Sequence, residues 1–299
     1  MYPYSSHVWK ILACPYCEHS LVQTSEGAMC TGCRAEYGCN ASGALDLRLE
    51  QPKEYNLEIE LGTPLRQLSG LDLAPLPMDA DAEVDFIGFG VPHHLTRELM
   101  SHFPMACGQD SMMLDLGCGS GLHKGVCEHA GFEYVGLDHE SPKAMLLGDA
   151  HALPFADASF EFVLSVAVLE HIRFPLVMMR ETYRVLKPHG RFIGTVAFLE
   201  PFHADSYYHH THLGLLNLLE YGGFEVRYIA PSKDWTALTA LAKALLPGMP
   251  PVVRSTLTAP IRAAHEVCRL IAQRRGRSVD EHLRLCTTTG AFAFVAVKG

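Results

Sequence analysis

Apolar stretches of strand length alternate with more polar, glycine-containing segments through the middle of this chain. Met112–Leu116, Phe132–Leu137, Phe160–Ser165 and Arg191–Ala197 each read as a buried strand, and helical segments fit between most of them. Strands that alternate with helices are typical of a parallel sheet covered by helices on both faces. The pattern therefore predicts a doubly wound α/β fold.

One connection in this pattern is unusually short. Asp138 and Asp149 stand at the ends of two successive predicted strands and are only eleven positions apart. A crossover through a helix needs at least about 10–12 residues between its strands, whereas Ser141–Met145 leaves room for one short turn and Leu146–Leu147 for a minimal strand. We expect a trimmed crossover, with the exposed sheet edge covered by the N-terminal segment or by residues 50–90.

Composition and charge narrow the class of protein. The chain of 299 residues is 48% hydrophobic, which is ample for a core. It shows no apolar run long enough to span a membrane and no secretory signal, and together with ten cysteines this favours a cytoplasmic protein. The net charge of −9 argues against a general nucleic-acid-binding surface. The charge is uneven, because residues 231–286 carry +5 and the rest of the chain −14.

Four cysteines near the N-terminus have the spacing of a metal site. Two CxxC pairs, separated by twelve residues, can place four thiolates tetrahedrally around one Zn²⁺. Such a site has no open position for a substrate, so the spacing predicts a structural zinc ribbon. Its ligands would be Cys14, Cys17, Cys30 and Cys33. Cys39 is interpreted as a packing residue or a spare thiol.

The first predicted strand runs into a glycine-rich turn, Gly117-Cys-Gly-Ser-Gly121. Glycines there permit positive φ and a close approach of the backbone to a ligand. Leu122 stands where a dinucleotide fingerprint needs its third glycine, and no Walker lysine follows, so pyrophosphate binding is disfavoured. Asp138 ends the next strand, and an acid in this place can bind both ribose hydroxyls of a nucleoside.

Six segments occur in the order typical of class I S-adenosylmethionine-dependent methyltransferases. They are DLGCGSG, GLD, GDAHALPF, SFEFVLSVAVLEHI, YRVLKPHG and RFIGTV. Over about residues 90–230 plus a final strand, the chain resembles most the branch that includes ubiquinone and menaquinone methyltransferases. The resemblance implies a seven-stranded Rossmann-like sheet that ends in strands at Phe224–Ile229 and Ala291–Val297. The cysteine segment resembles small zinc-ribbon activating subunits of tRNA and protein methyltransferases.

The same resemblance implies a set of residues that bind S-adenosylmethionine. Asp115, Gly117, Gly119 and Gly121 would form the turn around the methionine and ribose parts, and Asp138 would be the acid that binds the ribose. Asp149 and Ala150 would lie in the loop at the adenine, and Ser165 would end the fourth strand on the methionine side. Alternatively, Asp115 holds the glycine loop and Ser165 only ends its strand. His151 and His171 are open to a structural interpretation as well.

The methyl acceptor is expected at the carboxyl ends of the strands, where open α/β sheets bind ligands. A histidine-rich stretch at residues 203–212 leaves this edge, and a neutral histidine suits general-base work at neutral pH. His203 is the first candidate base, with His171 and Glu200 as reserves. Alternatively, these side chains only cap a helix or shape the pocket, and no base is needed. Metal binding by the histidines is disfavoured by their spacing.

The predicted domain organisation has three parts. Residues 1–50 form the zinc ribbon, 51–90 a linker or docking segment, and 91–299 the methyltransferase domain with a helical insertion at about 231–289. The insertion is apolar with basic flanks. It is interpreted as a cap over the acceptor or a homodimer face, and alternatively as a contact with anionic lipid.

The favoured function is S-adenosylmethionine-dependent methyl transfer to a small-molecule or sugar-containing acceptor at oxygen. One alternative is an RNA or protein methyltransferase with the zinc ribbon as reader, which the acidic balance of the chain disfavours. Another is a non-catalytic interaction scaffold, which the intact cofactor residues disfavour.

Overall fold

The computed structural model describes residues 4–58, 73–200, 205–275 and 281–299. Its strands are β1 (Leu21–Gln23), β2 (Gly27–Cys30), β3 (Glu36–Gly38), β4 (Leu45–Asp46), β5 (Met112–Leu116), β6 (Glu133–Asp138), β7 (Leu146–Leu147), β8 (Phe160–Val166), β9 (Leu186–Ala197), β10 (Phe224–Pro231) and β11 (Ala291–Lys298). Its α-helices are α1 (Ser6–Ile11), α2 (Arg97–Ser101), α3 (Lys124–His129), α4 (Pro175–Val185), α5 (His212–Gly222), α6 (Ala237–Leu245), α7 (Pro251–Arg274) and α8 (Glu281–Thr288), and Leu169–His171 forms a 3₁₀ turn.

The central sheet has the strand order β10-β11-β9-β8-β5-β6-β7-β4. Neighbouring strands from β9 to β4 are parallel, whereas β11 is antiparallel to both β9 and β10. The doubly wound, Rossmann-like α/β prediction is therefore confirmed. The described sheet has eight strands and not the seven expected, because β4 comes from the N-terminal region and pairs with β7. β1, β2 and β3 form a separate antiparallel sheet.

Helices cover the two faces of the central sheet, and an apolar cluster lies under each face. Met178 and Leu215, on α4 and α5, belong to one cluster, while Leu99, on α2, belongs to the other. Within β8 the neighbouring residues Phe162 and Val163 fall into different clusters, as expected when side chains alternate across a strand. Both faces of this strand are buried, which explains its continuous apolar sequence.

The connection between β6 and β7 is trimmed as predicted. Residues 139–145 contain no helix, and β7 has only two residues. Even so, β7 keeps a parallel register beside β6, with Leu137 opposite Leu146. The two acids that follow these strands therefore stay at the same end of the sheet.

The N-terminal region covers the sheet edge that this short connection leaves open. The Tyr4 hydroxyl donates to the carbonyl of Met145 (2.9 Å) and accepts from the N–H of Leu45 (2.7 Å). Backbone hydrogen bonds also join residues 11–13 to residues 154–156. The prediction that the ribbon segment covers this edge is confirmed, and β4 does so by extending the sheet.

Three helices, α6, α7 and α8, lie between β10 and β11, where an insertion was expected. None of the helices in the described ranges is both long enough and apolar enough to cross a membrane.

Candidate functional site

Two cavities lie side by side at the carboxyl ends of the parallel strands. The glycine-turn cavity, of about 720 Å³, is lined by residues 116–117, 137–140, 148–151, 167–168, 171–173, 205 and 207. The acid-lined cavity, of about 690 Å³, is lined by residues 91–98, 167, 170, 195–197, 200, 232–235 and 291. Ala167, directly after β8, lines both. The cavities therefore adjoin at the place where doubly wound sheets bind their ligands.

The glycine turn between β5 and α3 needs glycine for steric reasons. Gly117 has φ +78°, and a Cβ built on it would lie 2.3 Å from a methyl carbon of Val168. Gly119 and Gly121 also have positive φ, which L-residues with side chains rarely adopt. The conformation of this turn therefore requires glycine at these positions, and the absence of side chains there lets its backbone approach a ligand closely.

Asp138 connects this turn to the end of β6. One carboxylate oxygen accepts the N–H of Gly119 (2.9 Å), and the other accepts the N–H groups of Glu140 and Ser141 (both 2.9 Å). The carboxylate is thus held in one position on the wall of the glycine-turn cavity.

Asp149 is fixed by its neighbour His151. The carboxylate accepts from the backbone N–H (2.8 Å) and from Nδ1 (2.6 Å) of His151, while Nε2 of that ring accepts the N–H of Phe174 (3.1 Å). The ring is therefore the neutral tautomer with its proton on Nδ1. Burial alone would raise the pKa of Asp149, but the bonds from His151 outweigh it and the pKa is lowered. An ionised acid thus lies in the loop that carries Ala150.

Two of the predicted cofactor residues, Asp115 and Ser165, are buried and do not line the glycine-turn cavity. Asp115 is 1% exposed and accepts from the Tyr134 hydroxyl (2.7 Å), and burial raises its pKa. Ser165 is fully buried, and its hydroxyl has no hydrogen-bond partner within the described ranges. Of the eight predicted cofactor residues, four line the glycine-turn cavity: Gly117, Asp138, Asp149 and Ala150.

The acid-lined cavity contains both paired and unpaired carboxylates. Glu98 forms an ion pair with Lys233, and Glu200 with Lys243. Glu170, in the 3₁₀ turn after β8, is 1% exposed, and its Oε2 is buried without a hydrogen-bond partner in the part of the chain described. Burial raises the pKa of Glu170 above its ordinary value.

The two predicted catalytic residues that the structure describes, His171 and Glu200, do not share a cavity. His203, the first candidate, lies outside the described residues. His171 lines the glycine-turn cavity, whereas Glu200 lines the acid-lined cavity in its ion pair with Lys243. Glu170 was not among the residues that the sequence predicted for the site. The signal was present: an acid closely following a buried apolar strand, as at Asp138.

The histidine-rich stretch supports the turn that carries Glu170. The N–H groups of Tyr207 and Tyr208 donate to the carbonyl of Glu170 (2.7 and 3.2 Å). His210 is buried, with Nε2 3.4 Å from the carbonyl of Leu169, and burial lowers its pKa. This histidine is therefore a structural group.

The four cysteines of the two CxxC pairs converge. Their sulfur atoms all lie within 4.8 Å of one another, with Cys14 Sγ 3.6 Å from Cys33 Sγ and Cys17 Sγ 3.4 Å from Cys30 Sγ. Tetrahedral Zn–S bonds of about 2.3 Å place sulfurs roughly 3.8 Å apart. The donor set therefore fits a four-coordinate zinc ion.

Residues 114–194 match the family model described as a methyltransferase domain. This segment runs from β5 into β9, and it includes the glycine turn, Asp138, Asp149 and the Glu170 turn. Over these residues the doubly wound fold agrees with the match to a methyltransferase domain.

Two curated relatives and one solved structure are among the similar proteins. The ubiquinone biosynthesis O-methyltransferase of Ruegeria pomeroyi is 30% identical over 131 residues, which are 39% of this chain and 52% of that protein. A methyltransferase of Encephalitozoon cuniculi is 38% identical over 107 residues, 33% of this chain and 50% of that protein. The chain thus spans about half the length of these relatives. A complex of the Haloferax volcanii Trm112 methyltransferase activator with a methyltransferase matches with a TM-score of 0.47 and 20% identity, covering 69% of this chain and 88% of that one.

Proposed function

We propose that this protein transfers the methyl group of S-adenosylmethionine to an oxygen atom of a small-molecule or sugar-containing acceptor. The observation that carries the proposal is the pair of cavities that adjoin at Ala167, one lined by the glycine turn and its acids and the other by carboxylates. Two substrates bound in adjoining cavities would have their reacting groups close together, which favours transfer between them.

The glycine-turn cavity would hold the cofactor. Gly117 allows the backbone to lie against it, Asp138 is fixed where a ribose can bind, and Asp149 and Ala150 lie where the adenine edge would bind. When bound, S-adenosylmethionine supplies an electrophilic methyl group on a positively charged sulfur. The chain's own contribution is to position this group and to exclude water around it.

The acid-lined cavity would hold the acceptor. It is walled in part by Ser232–Trp235 at the start of the helical insertion, which supports the interpretation of the insertion as a cap. The carboxylates around it can accept hydrogen bonds from hydroxyl groups, which favours a hydroxylated acceptor. The name of the Ruegeria pomeroyi relative, an O-methyltransferase, agrees with this choice of atom.

Calorimetry with S-adenosylhomocysteine and a labelling assay test the proposal together. The wild type should bind S-adenosylhomocysteine and should transfer label from S-adenosylmethionine to a small molecule in an extract of the source organism. Gly117→Ala should lose binding, since its Cβ collides with Val168, while Gly108→Ala, whose Cβ meets open space, should not. A wild type that binds no S-adenosylhomocysteine would instead be an interaction scaffold, and label in RNA or protein would change the acceptor class.

The four cysteines are proposed to hold a structural zinc ion. Such an ion would join α1 and β1–β3 into one unit behind β4, and a closed set of four thiolates leaves it no position for substrate. Elemental analysis of the purified protein should find one zinc per chain, and a metal-free protein that still folds would refute this.

A second copy of this chain is proposed as the partner of helix α7. Large apolar side chains are exposed along this helix: Val252, Val253, Leu257, Ile261, Val267, Leu270 and Ile271. The +5 charge of residues 231–286 complements the −14 of the remaining chain, and exposed apolar patches of this kind mark interaction surfaces. Sedimentation should give a dimer, whereas a monomer that binds anionic vesicles would assign the helix to a lipid surface.

A further inference from the structure

Glu170 is buried like a core residue, and backbone N–H groups of Glu170 and Ala197 interact with its carboxyl group. It is 1% exposed, and its Oε2 has no hydrogen-bond partner among the residues that the structure describes. Leaving a buried carboxylate oxygen unpaired is unfavourable, and folded proteins rarely keep such a group without a functional reason.

The surroundings of Glu170 hold it in this position. Its carbonyl accepts the N–H groups of Tyr207 and Tyr208, and the Leu169 carbonyl beside it lies 3.4 Å from His210 Nε2. The turn is therefore anchored from the segment after β9 through its backbone and leaves the carboxyl group at the wall of the acid-lined cavity.

Several other charged groups that line this cavity form ion pairs or hydrogen bonds. Glu98 is paired with Lys233 and Glu200 with Lys243. Arg97 is directed toward the carbonyls of Phe86 and Phe89.

Three more titratable groups, His93, His94 and Asp234, line the same cavity. His171 is the next residue along the 3₁₀ turn but lines the glycine-turn cavity instead. Burial is the largest influence on the pKa of Glu170 and raises it. The backbone N–H groups of Glu170 and Ala197 and the nearby His171 lower this pKa, and Glu200 raises it.

We propose that Glu170 is the general base of the reaction: its carboxylate accepts the hydroxyl proton of the acceptor as the methyl group is transferred. The acceptor oxygen forms a bond to the methyl carbon, the carbon–sulfur bond breaks with its electron pair left on sulfur, and the proton passes to Glu170. This inference rests on the proposed function, and it assigns to Glu170 the role of general base that the sequence analysis predicted for His203, His171 or Glu200.

Burial suits Glu170 to this role. A carboxylate whose pKa lies above its ordinary value is a stronger base than one in water. Because Ala167 lines both cavities, an acceptor bound beside Glu170 would lie next to the proposed cofactor site.

The test compares the wild type with Glu170→Gln, Glu170→Asp and the control Glu225→Gln, an exposed glutamate of β10. Label transfer to the extract acceptor is followed against pH, S-adenosylhomocysteine binding by calorimetry, and unfolding by urea. E170Q should lose about 10²–10⁴-fold in transfer rate and the rise of rate with pH. E170D should keep that rise with a lower rate, and E225Q should match the wild type. Binding and folding of E170Q should be unimpaired.

Each outcome decides between the possibilities. Transfer by E170Q at the wild-type rate would overturn the assignment of the base while leaving the proposed function intact. Loss of stability in E170Q at pH 7 would also overturn it, because Glu170 would then be structural. A wild type that transfers no label but shows cofactor binding would refute the proposed function, and the base with it.

Discussion

Glu170 and Glu181 lie eleven positions apart and are both almost completely buried, at 1% and 2% exposure. Glu181 accepts hydrogen bonds from Arg184 Nε (3.0 Å) and Nη2 (2.7 Å), from the N–H of Leu153 (2.8 Å) and from the Tyr55 hydroxyl. Oε2 of Glu170 has no such partner in the described ranges. Burial alone thus does not reveal the role of an acid, whereas the bonding of its oxygens separates the two residues.

The two glutamates also belong to different parts of the molecule. Glu181 lies on α4 and links Tyr55, from the segment after the ribbon, to the methyltransferase domain, while Arg184 also donates to the Phe155 carbonyl (2.7 Å). Glu170 lies at the carboxyl ends of the strands, where the cavities open. The hydrogen bonds of Glu181 thus hold two segments of the chain together, whereas Glu170 lies where a ligand can bind.

The largest effect on folding is expected at the proposed zinc site in the N-terminal region. Cys30→Ser should abolish stoichiometric zinc binding, since structural zinc sites contribute on the order of 10 kcal/mol to the folding of their domains. Elemental analysis and near-UV circular dichroism would measure this, with Cys39→Ser as the control. One zinc per chain retained in the Cys30→Ser protein would contradict the four-cysteine site.

The next largest effect on stability is expected from the loss of Glu181, the buried glutamate whose oxygens are hydrogen-bonded. Glu181→Ala removes the buried ion-pair partner of the Arg184 guanidinium, whose side chain is 16% exposed, and leaves the exposed Asp157 as its ion-pair partner among the described residues. Breaking a buried pair in this way costs about 3–5 kcal/mol, and urea denaturation should show a decrease in the free energy of unfolding of that size. Glu225→Ala on the exposed face should change it little, and equal effects of the two variants would remove the distinction drawn here.

A smaller effect is expected at the cofactor acid. Asp138→Ala removes the acceptor for the proposed ribose hydroxyls and for Gly119 N–H, and bonds to a charged group contribute about 1.5–3 kcal/mol. Calorimetry should show S-adenosylhomocysteine binding weakened roughly 10–100-fold. Asp81→Ala, at an exposed position that lines neither cavity, should bind like the wild type.

The smallest expected effect is a gain in stability. The pKa of Glu170 is raised in the folded state. Its contribution to stability is therefore fully present below the pKa that Glu170 has in the unfolded chain, and it is lost as the pH rises through the pKa in the folded protein. Glu170→Gln should therefore stabilise the protein by about 1 kcal/mol at pH 7, with the gain fading toward pH 4. Urea denaturation at both pH values would measure it, and a gain that is the same at both would exclude ionisation as its cause.

Much of this architecture could be predicted from sequence because strong local signals carried it. The glycine turn, the acids after β6 and β7 and the two CxxC pairs each combine residue type with spacing. β8 was expected over Phe160–Ser165 and extends one residue further, to Val166. These features depend on backbone geometry or metal coordination, which residue identity constrains directly.

Other features depend on contacts between distant residues and left no local signal. β4 has two residues, too few for an alternating pattern, and its partner β7 lies about a hundred positions away. The cavity beside Glu170 is likewise lined by residues 232–235, which lie far along the chain. The preference for His203 followed residue type, because the ordinary pKa of histidine suits a base at neutral pH. The raised pKa of Glu170 depends on its burial, which the sequence does not show.

The position of β11 affects how the protein can be made in a cell. β11 pairs with β9 on one side and β10 on the other, yet it begins at Ala291, sixty positions after β10 ends at Pro231. While a ribosome synthesises the helical insertion, the apolar edges of β9 and β10 have no neighbour, and such edges pair readily with other chains. The length of the insertion therefore sets how long each nascent chain stays prone to aggregation and in need of chaperones.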